Sequence, residues 1–230
     1  MKLGPYELGP NDTDAQGIYC GDARELARAI PDESVDLIFT DPIYDRIEDY
    51  RWLAETAARV LRPEGHLLVW QNVRYWYDTS TTLKDYLFER YTFVLTRSNA
   101  CVGTNGTHVL QLWTPLLWYS KLDNVRAIIK PRDSIDAPMR AGISAYHQFQ
   151  KPQKAIYYWM RCFTRNTAIV FDPFTGGGTV PSVCKQLGRQ YLAFEIDPDT
   201  CDMARERVRN TQPPLFVLPQ PEQLTLEIDE

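Results

Sequence analysis

The sequence predicts an α/β protein: a mostly parallel, twisted sheet with helices on both faces, its strands assembled in permuted order. Three observations carry this. Strand, helix and strand alternate from Gly17 to Trp70, the alternation resumes after His147, and a glycine-rich turn, Asp172-Pro173-Phe174-Thr175-Gly176-Gly177-Gly178-Thr179, sits late in the chain. A nucleotide-type fold starting at Ala168 would have only about two strand-helix units left, too few for a covered sheet. The missing strands must come from upstream, which places the strand before Asp41 beside the strand before Asp172.

The elements follow in order. Gly17 to Asp22 is a short strand ending in Gly-Asp, Ala23 to Ile30 a helix closed by Pro31, and Val35 to Thr40 a buried strand running into Asp41-Pro42. Helical spacing of Trp52, Leu53, Ala57 and Val60 covers Asp49 to Leu61, and His66 to Trp70 is the next strand. From Gln71 to Tyr146 the pattern loosens. Strands are expected over Tyr91 to Thr96 and Pro115 to Ser120, with a turn at Gly103-Thr104-Asn105-Gly106, while Lys121 to Tyr146 reads as an irregular insertion. After it come a helix (Gln153 to Phe163), a strand (Ala168 to Phe171), a helix (Thr179 to Leu187), a strand (Tyr191 to Glu195) and a helix (Pro198 to Asn210). Residues 212–230 form an extended acidic tail, and the whole chain 1–230 is expected to be a single domain without internal repeats.

Composition narrows the function classes. At 44% hydrophobic and 24% charged, the chain is an ordinary globular protein. The five cysteines are scattered without a C-x-x-C pair, so neither a disulfide framework nor a zinc knuckle is indicated, and no metal is expected. No apolar run reaches the length of a membrane span, and a cytoplasmic location is expected. A net charge of −5 argues against gripping nucleic acid through a global positive field. The modest basic excess between Lys121 and Arg140 is, on charge alone, that of a solvated loop.

Two loops carry the chemistry. A glycine turn between a buried strand and a helix lets backbone approach a ligand, beside the unpaired N–H groups of the helix N-terminus. Glu195, about 20 residues on, stands where an acid can accept hydrogen bonds from ribose hydroxyls. A glycine run alone would equally be a flexible turn; the flanking strand, helix and acid make it a nucleotide-type site. The second loop is Asp41-Pro42-Ile43-Tyr44. An exocyclic amine on a nucleobase is a poor nucleophile because its lone pair is delocalised. Asp41 and the Pro42 carbonyl can accept its two N–H bonds, and Tyr44 can stack on a base taken out of the helix. By itself, the tetrapeptide would equally be a strand-terminating Asp-Pro turn.

Together these residues resemble the DNA amino methyltransferases that modify adenine N6 or cytosine N4, in the permuted group whose catalytic motif precedes the cofactor motif. The family's Asp-Pro-Pro-Tyr is matched by Asp41 to Tyr44, its Asp-Pro-Phe-x-Gly-Ser-Gly-Thr by Asp172 to Thr179, and its His-x-x-x-Lys-Pro by His147-Gln148-Phe149-Gln150-Lys151-Pro152. Gly21-Asp22, Phe194-Glu195-Ile196-Asp197 and Ala204-Arg205-Glu206-Arg207 also fit. The match covers the chain to about Trp70 and nearly everything after His147. It implies a Rossmann-like S-adenosylmethionine-dependent methyltransferase fold acting on double-stranded DNA. Asp41 and Pro42 would bind the target amine and Tyr44 the base. Asp172, Pro173, Phe174, Gly176, Gly178 and Thr179, with Lys151, would surround the methionine part, while Glu195 takes the ribose and Asp22 lies near the adenine. Lys151 has a plain alternative as a surface lysine, and His147 as a capping or core histidine. Ile43 and Gly177 depart from the family's proline and serine.

Aspartate at position 41 favours adenine N6, by resemblance; cytosine N4 and a non-catalytic cofactor- and DNA-binding module are the alternatives. The segment 71–146 is the expected site of sequence reading. Its small size implies a short recognition site or a second subunit as in a homodimer, and the function fits a restriction-modification setting.

Overall fold

The computed structural model describes residues 1–10, 16–96, 111–137 and 151–213. β1 (Lys2–Leu3) and β2 (Tyr6–Glu7) form a small antiparallel hairpin. β3 (Ile18–Cys20) leads into α1 (Ala23–Leu26), which tightens into a 3-10 turn before Pro31. β4 (Val35–Thr40), α2 (Ile47–Val60) and β5 (Leu61–Trp70) follow. Then come α3 (Trp76–Lys84), β6 (Phe88–Thr96), β7 (Trp113–Ser120) and β8 (Ser134–Asp136). The C-terminal part contains α4 (Gln153–Phe163), β9 (Ile169–Asp172), α5 (Thr179–Leu187), β10 (Gln190–Glu195) and α6 (Pro198–Asn210).

Eight strands make one sheet in the order β3-β10-β9-β4-β5-β7-β6-β8, in which β7 alone runs against its neighbours. The pairing expected from the permuted motif order is present: β4 lies parallel to β9, with Leu37 opposite Val170 and Ile38 opposite Phe171. From β4 the chain moves to β5 on one side, and from β9 to β10 on the other. The β4/β9 junction is therefore a topological switch point, where a crevice opens at the carboxyl ends of the strands.

Both faces of the sheet are covered, which is why its central strands are apolar throughout rather than alternating. Leu37, Phe39, Leu68 and Val170 pack on one side with Trp159 and Met160 of α4 and Val183 of α5. Ile38, Leu67, Phe171 and Leu192 pack on the other with Leu53 and Ala57 of α2 and with Leu3 and Tyr6 of the hairpin.

The β1–β2 hairpin, α3 and β8 were not expected from the sequence. α3 lies in a stretch whose aromatic, Thr and Ser content gives weak helix propensity. Tertiary bonds hold it: the Gln71 amide donates to Thr79 Oγ1 (2.5 Å), and the Ser80 and Tyr119 hydroxyls bond at 2.7 Å. β8 lies inside the segment read as irregular, where three residues add to the open edge of β6. The expected turn at Gly103 to Gly106, His147 to Gln150 and the tail beyond position 213 lie outside the described residues. No helix among the described residues is long and apolar enough to cross a membrane.

Candidate active site

β4 ends on Thr40, and the chain turns through Asp41 and the buried Pro42 into α2. Asp41 Oδ2 accepts a hydrogen bond from the ammonium of Lys151, which is 7% exposed. That ammonium also lies over two rings, 5.1 Å from the centroid of Tyr44 and 5.6 Å from that of Trp70. Trp70 ends β5, the neighbour of β4, and the buried Tyr50 hydroxyl donates to its carbonyl at 3.0 Å. Asp41 Oδ1 is buried and receives no hydrogen bond from the described residues. An ionised carboxylate accepts on both oxygens, so Oδ1 keeps acceptor capacity. Ile43, in the place of the family's second proline, is 54% exposed and fills no core position.

β9 ends one strand away on Asp172, and the two loops are bonded directly: Thr40 Oγ1 donates to Asp172 Oδ1 at 2.7 Å. Phe174 N donates to the same oxygen at 3.2 Å. Burial dominates the Asp172 carboxyl and pushes its pKa up to about 7; those hydrogen bonds pull it down, and the charge of Asp41 pushes it further up.

The glycine loop is folded by its own backbone and by two side chains. Gly178 has φ +73° and a Cβ there would meet Ala204 of α6 at 2.9–3.0 Å, so its bareness serves helix packing. Gly176 has φ +50° and a Cβ there would meet none of the described residues within 4 Å, so its bareness faces open space. Gly176 N donates to Glu195 Oε2 at 2.9 Å and Asp197 N to Glu195 Oε1 at 3.0 Å, leaving lone pairs on a carboxylate that accepts about four bonds. The Arg207 guanidinium, buried, donates to Gly177 O (3.2 Å), Thr179 Oγ1 (2.8 Å) and Gln153 Oε1 (3.2 Å), fastening the loop to α4 and α6. Phe174 meets Trp52 of α2 edge-on at 5.7 Å. Asp22 is exposed beyond β3, capping α1 through Arg24 N at 2.8 Å, while Gly21 N donates to Glu195 O at 2.8 Å.

The site residues expected from the sequence lie at or just beyond the carboxyl ends of β3, β10, β9 and β4, apart from Lys151, which precedes α4 and reaches Asp41 with its ammonium. Asp22 and Asp41 mark the ends of this row, three strand spacings or about 14 Å apart, a span suited to an adenosine joined to a methionine. Lys151 differs in detail from the resemblance: its ammonium bonds Asp41, in the loop that follows β4. Thr40, Trp70 and Arg207 belong to the site and were not singled out by sequence. Arg207 alone had a signal, lying in the Ala204-Arg205-Glu206-Arg207 stretch.

The crevice suits S-adenosylmethionine: bare backbone at Gly176 toward open space, the N-terminus of α5, and at the end of β10 an acid, Glu195, with lone pairs left. Such a site on this sheet defines a Rossmann-like, S-adenosylmethionine-dependent methyltransferase. A general methyltransferase domain model matches residues 7–69, and a DNA methylase model, of the N6/N4 methyltransferases, matches residues 89–206. The chain belongs to this N6/N4 DNA methylase family. Among relatives, the type II methyltransferase M.HpaI of Haemophilus parainfluenzae is 25% identical over 84% of this chain and 74% of its own length. M.BamHI of Bacillus amyloliquefaciens is 27% identical over 86% of this chain and 58% of its own. Among solved structures, the cytosine-N4-specific PvuII DNA methyltransferase superposes with a TM-score of 0.75 at 18% identity, covering 86% of this chain and 90% of that one. The M1.HpyAVI–SAM complex gives 0.71 at 23% identity, over 83% and 98%. Both share the fold. The protein is a DNA methyltransferase that uses S-adenosylmethionine.

Proposed function

We propose that the protein methylates the exocyclic N6 of an adenine flipped out of duplex DNA. The observation that carries this is Asp41, a carboxylate 32% exposed at the end of β4, one strand from the cofactor loop and joined to its wall through the bond of Thr40 to Asp172. Asp41 and the Pro42 carbonyl accept the two N–H bonds of the amine, hold the nitrogen toward tetrahedral geometry and aim its lone pair at the crevice. Tyr44 stacks on the extruded base. Asp172, Pro173, Phe174, Gly176, Gly178 and Thr179 line the methionine part with Lys151 nearby, Glu195 receives ribose hydroxyls on its remaining lone pairs, and Asp22 bounds the adenine end. S-adenosylmethionine, when bound, supplies a methyl group already activated on a sulfonium. The chain's own task is therefore positioning and electrostatics rather than covalent chemistry.

Aspartate rather than serine at the head of the loop supports adenine over cytosine. Likeness to a cytosine-N4 enzyme is a likeness of fold and does not bear on that choice. Sequence reading falls to the segment between β5 and α4, where Arg74, Trp76 and Tyr77 are exposed just beyond the carboxyl end of β5. Incubation with labelled S-adenosylmethionine and mixed-sequence duplex DNA, followed by nucleoside analysis, tests the reading. N6-methyladenine is expected; N4-methylcytosine would transfer the assignment to that base, and unlabelled DNA with cofactor-loaded protein would remove it.

A further inference from the structure

Asp41, Tyr44 and Trp70 surround the Lys151 ammonium with a carboxylate and two aromatic faces. That is the chemistry that holds an amino group: a charged acceptor for N–H, and π-faces that favour positive charge. Asp41 and Tyr44 are also the residues assigned above to the target amine and its base. Resting on that reading, we propose that Lys151 is a positioning residue whose ammonium occupies the amine subsite in the substrate-free enzyme, and that the target amine must displace it.

Three features favour displacement over a fixed structural pair. Lys151 covers Oδ2 and Oδ1 is buried, so an entering amine reaches the carboxylate only as Lys151 departs. The lysine side chain is long and unbranched and can withdraw without moving the backbone of α4, which starts two residues later. And a cationic placeholder keeps the charge of Asp41, a carboxylate 32% exposed, compensated until a base arrives. Trp70 thereby becomes a wall of the target-base pocket, although no motif marked it.

The competition is measurable without chemistry. With 2-aminopurine placed at the mapped target position of a duplex, extrahelical base raises fluorescence. Lys151→Met, which keeps the length and removes the charge, is expected to raise the bound-state signal and to lower the KM for DNA by about fivefold, the scale of a partly buried ion pair, with a smaller change in kcat. Lys151→Arg, whose forked and permanently charged group grips a carboxylate harder, is expected to lower both the signal and DNA affinity. A Lys151→Met signal equal to or below wild type overturns the proposal, and should that variant not fold, an Arg variant indistinguishable from wild type does so. Wild-type methylation of DNA with either of these results sinks the placeholder alone; absence of methylation sinks the functional reading beneath it.

Discussion

Replacing Asp41 with alanine takes away the acceptor on which the amine would be held while leaving the glycine loop, Glu195 and α5 as they are. Methyl transfer should fall by at least about 100-fold, the scale of losing one preorganised electrostatic partner, with cofactor affinity by calorimetry nearly unchanged; equal turnover would refute the role. Asp172 makes a different prediction, in pH. Its folded pKa of about 7 lies above the ordinary 3.8, so the stability it contributes is fully present below 3.8 and is lost as pH rises through about 7. His66 slopes the other way: burial, with Arg90 nearby, lowers it from 6.5 to about 4, so its contribution is lost as pH falls through that window. The informative quantity is therefore the difference between wild type and Asp172→Asn. The variant's Tm relative to wild type should climb between about pH 4 and pH 7, read by scanning calorimetry without cofactor; a flat difference would show that Asp172 is ionised throughout.

Within the cofactor loop, two glycines with similar backbone angles do different work, and one methyl group separates them. Gly178→Ala would drive its Cβ into the Ala204 backbone at the α5/α6 contact and hold alanine in the left-handed region. About 2–4 kcal/mol of stability should be lost. Gly176→Ala carries only the backbone cost of about 1 kcal/mol, because none of the described residues opposes its Cβ. Its methyl instead enters the open space at the loop, and cofactor affinity should drop with the fold intact. Paired denaturant melts and cofactor titrations on the two variants check this; the reverse pattern would place the cofactor elsewhere. Elements of this kind were legible beforehand because strand, glycine and helix follow one another locally. α3 was not: Trp76 to Lys84 is written in residues that favour other conformations, and packing on α2 and the sheet, with bonds to Gln71 and Tyr119, holds it as a helix. β8 was hidden for a related reason, since three residues on a sheet edge have too short a period to show in sequence.

Across the whole molecule, the permuted sheet was legible from a count: too few strands follow Asp172, so β4 had to come round beside β9. The side chains joining the two halves were not, because Thr40 to Asp172 and Lys151 to Asp41 are bonds between residues far apart in sequence that have no periodicity of their own. Charge is the molecular property that bears on the substrate. At net −5, with Arg24, Arg59, Arg62, Arg90 and Lys121 each engaged by a carboxylate, much of the basic complement already has an anionic partner. Lys121 lies at the end of β7, away from the crevice, since its ammonium donates to the carbonyl of Leu61, which starts β5, while the crevice lies at the Trp70 end of that strand. Counterion release on DNA binding should accordingly be small: log affinity against log salt should have a slope no steeper than about −4, equivalent to some four phosphates neutralised. Affinity would then depend on the target pocket and not on a general field, so non-specific duplex should compete weakly. Fluorescence anisotropy over about 50 to 200 mM salt, with target and non-target duplexes in parallel, measures both quantities. A steep slope shared by the two duplexes would mean that a basic surface, and not the amine subsite, holds the DNA.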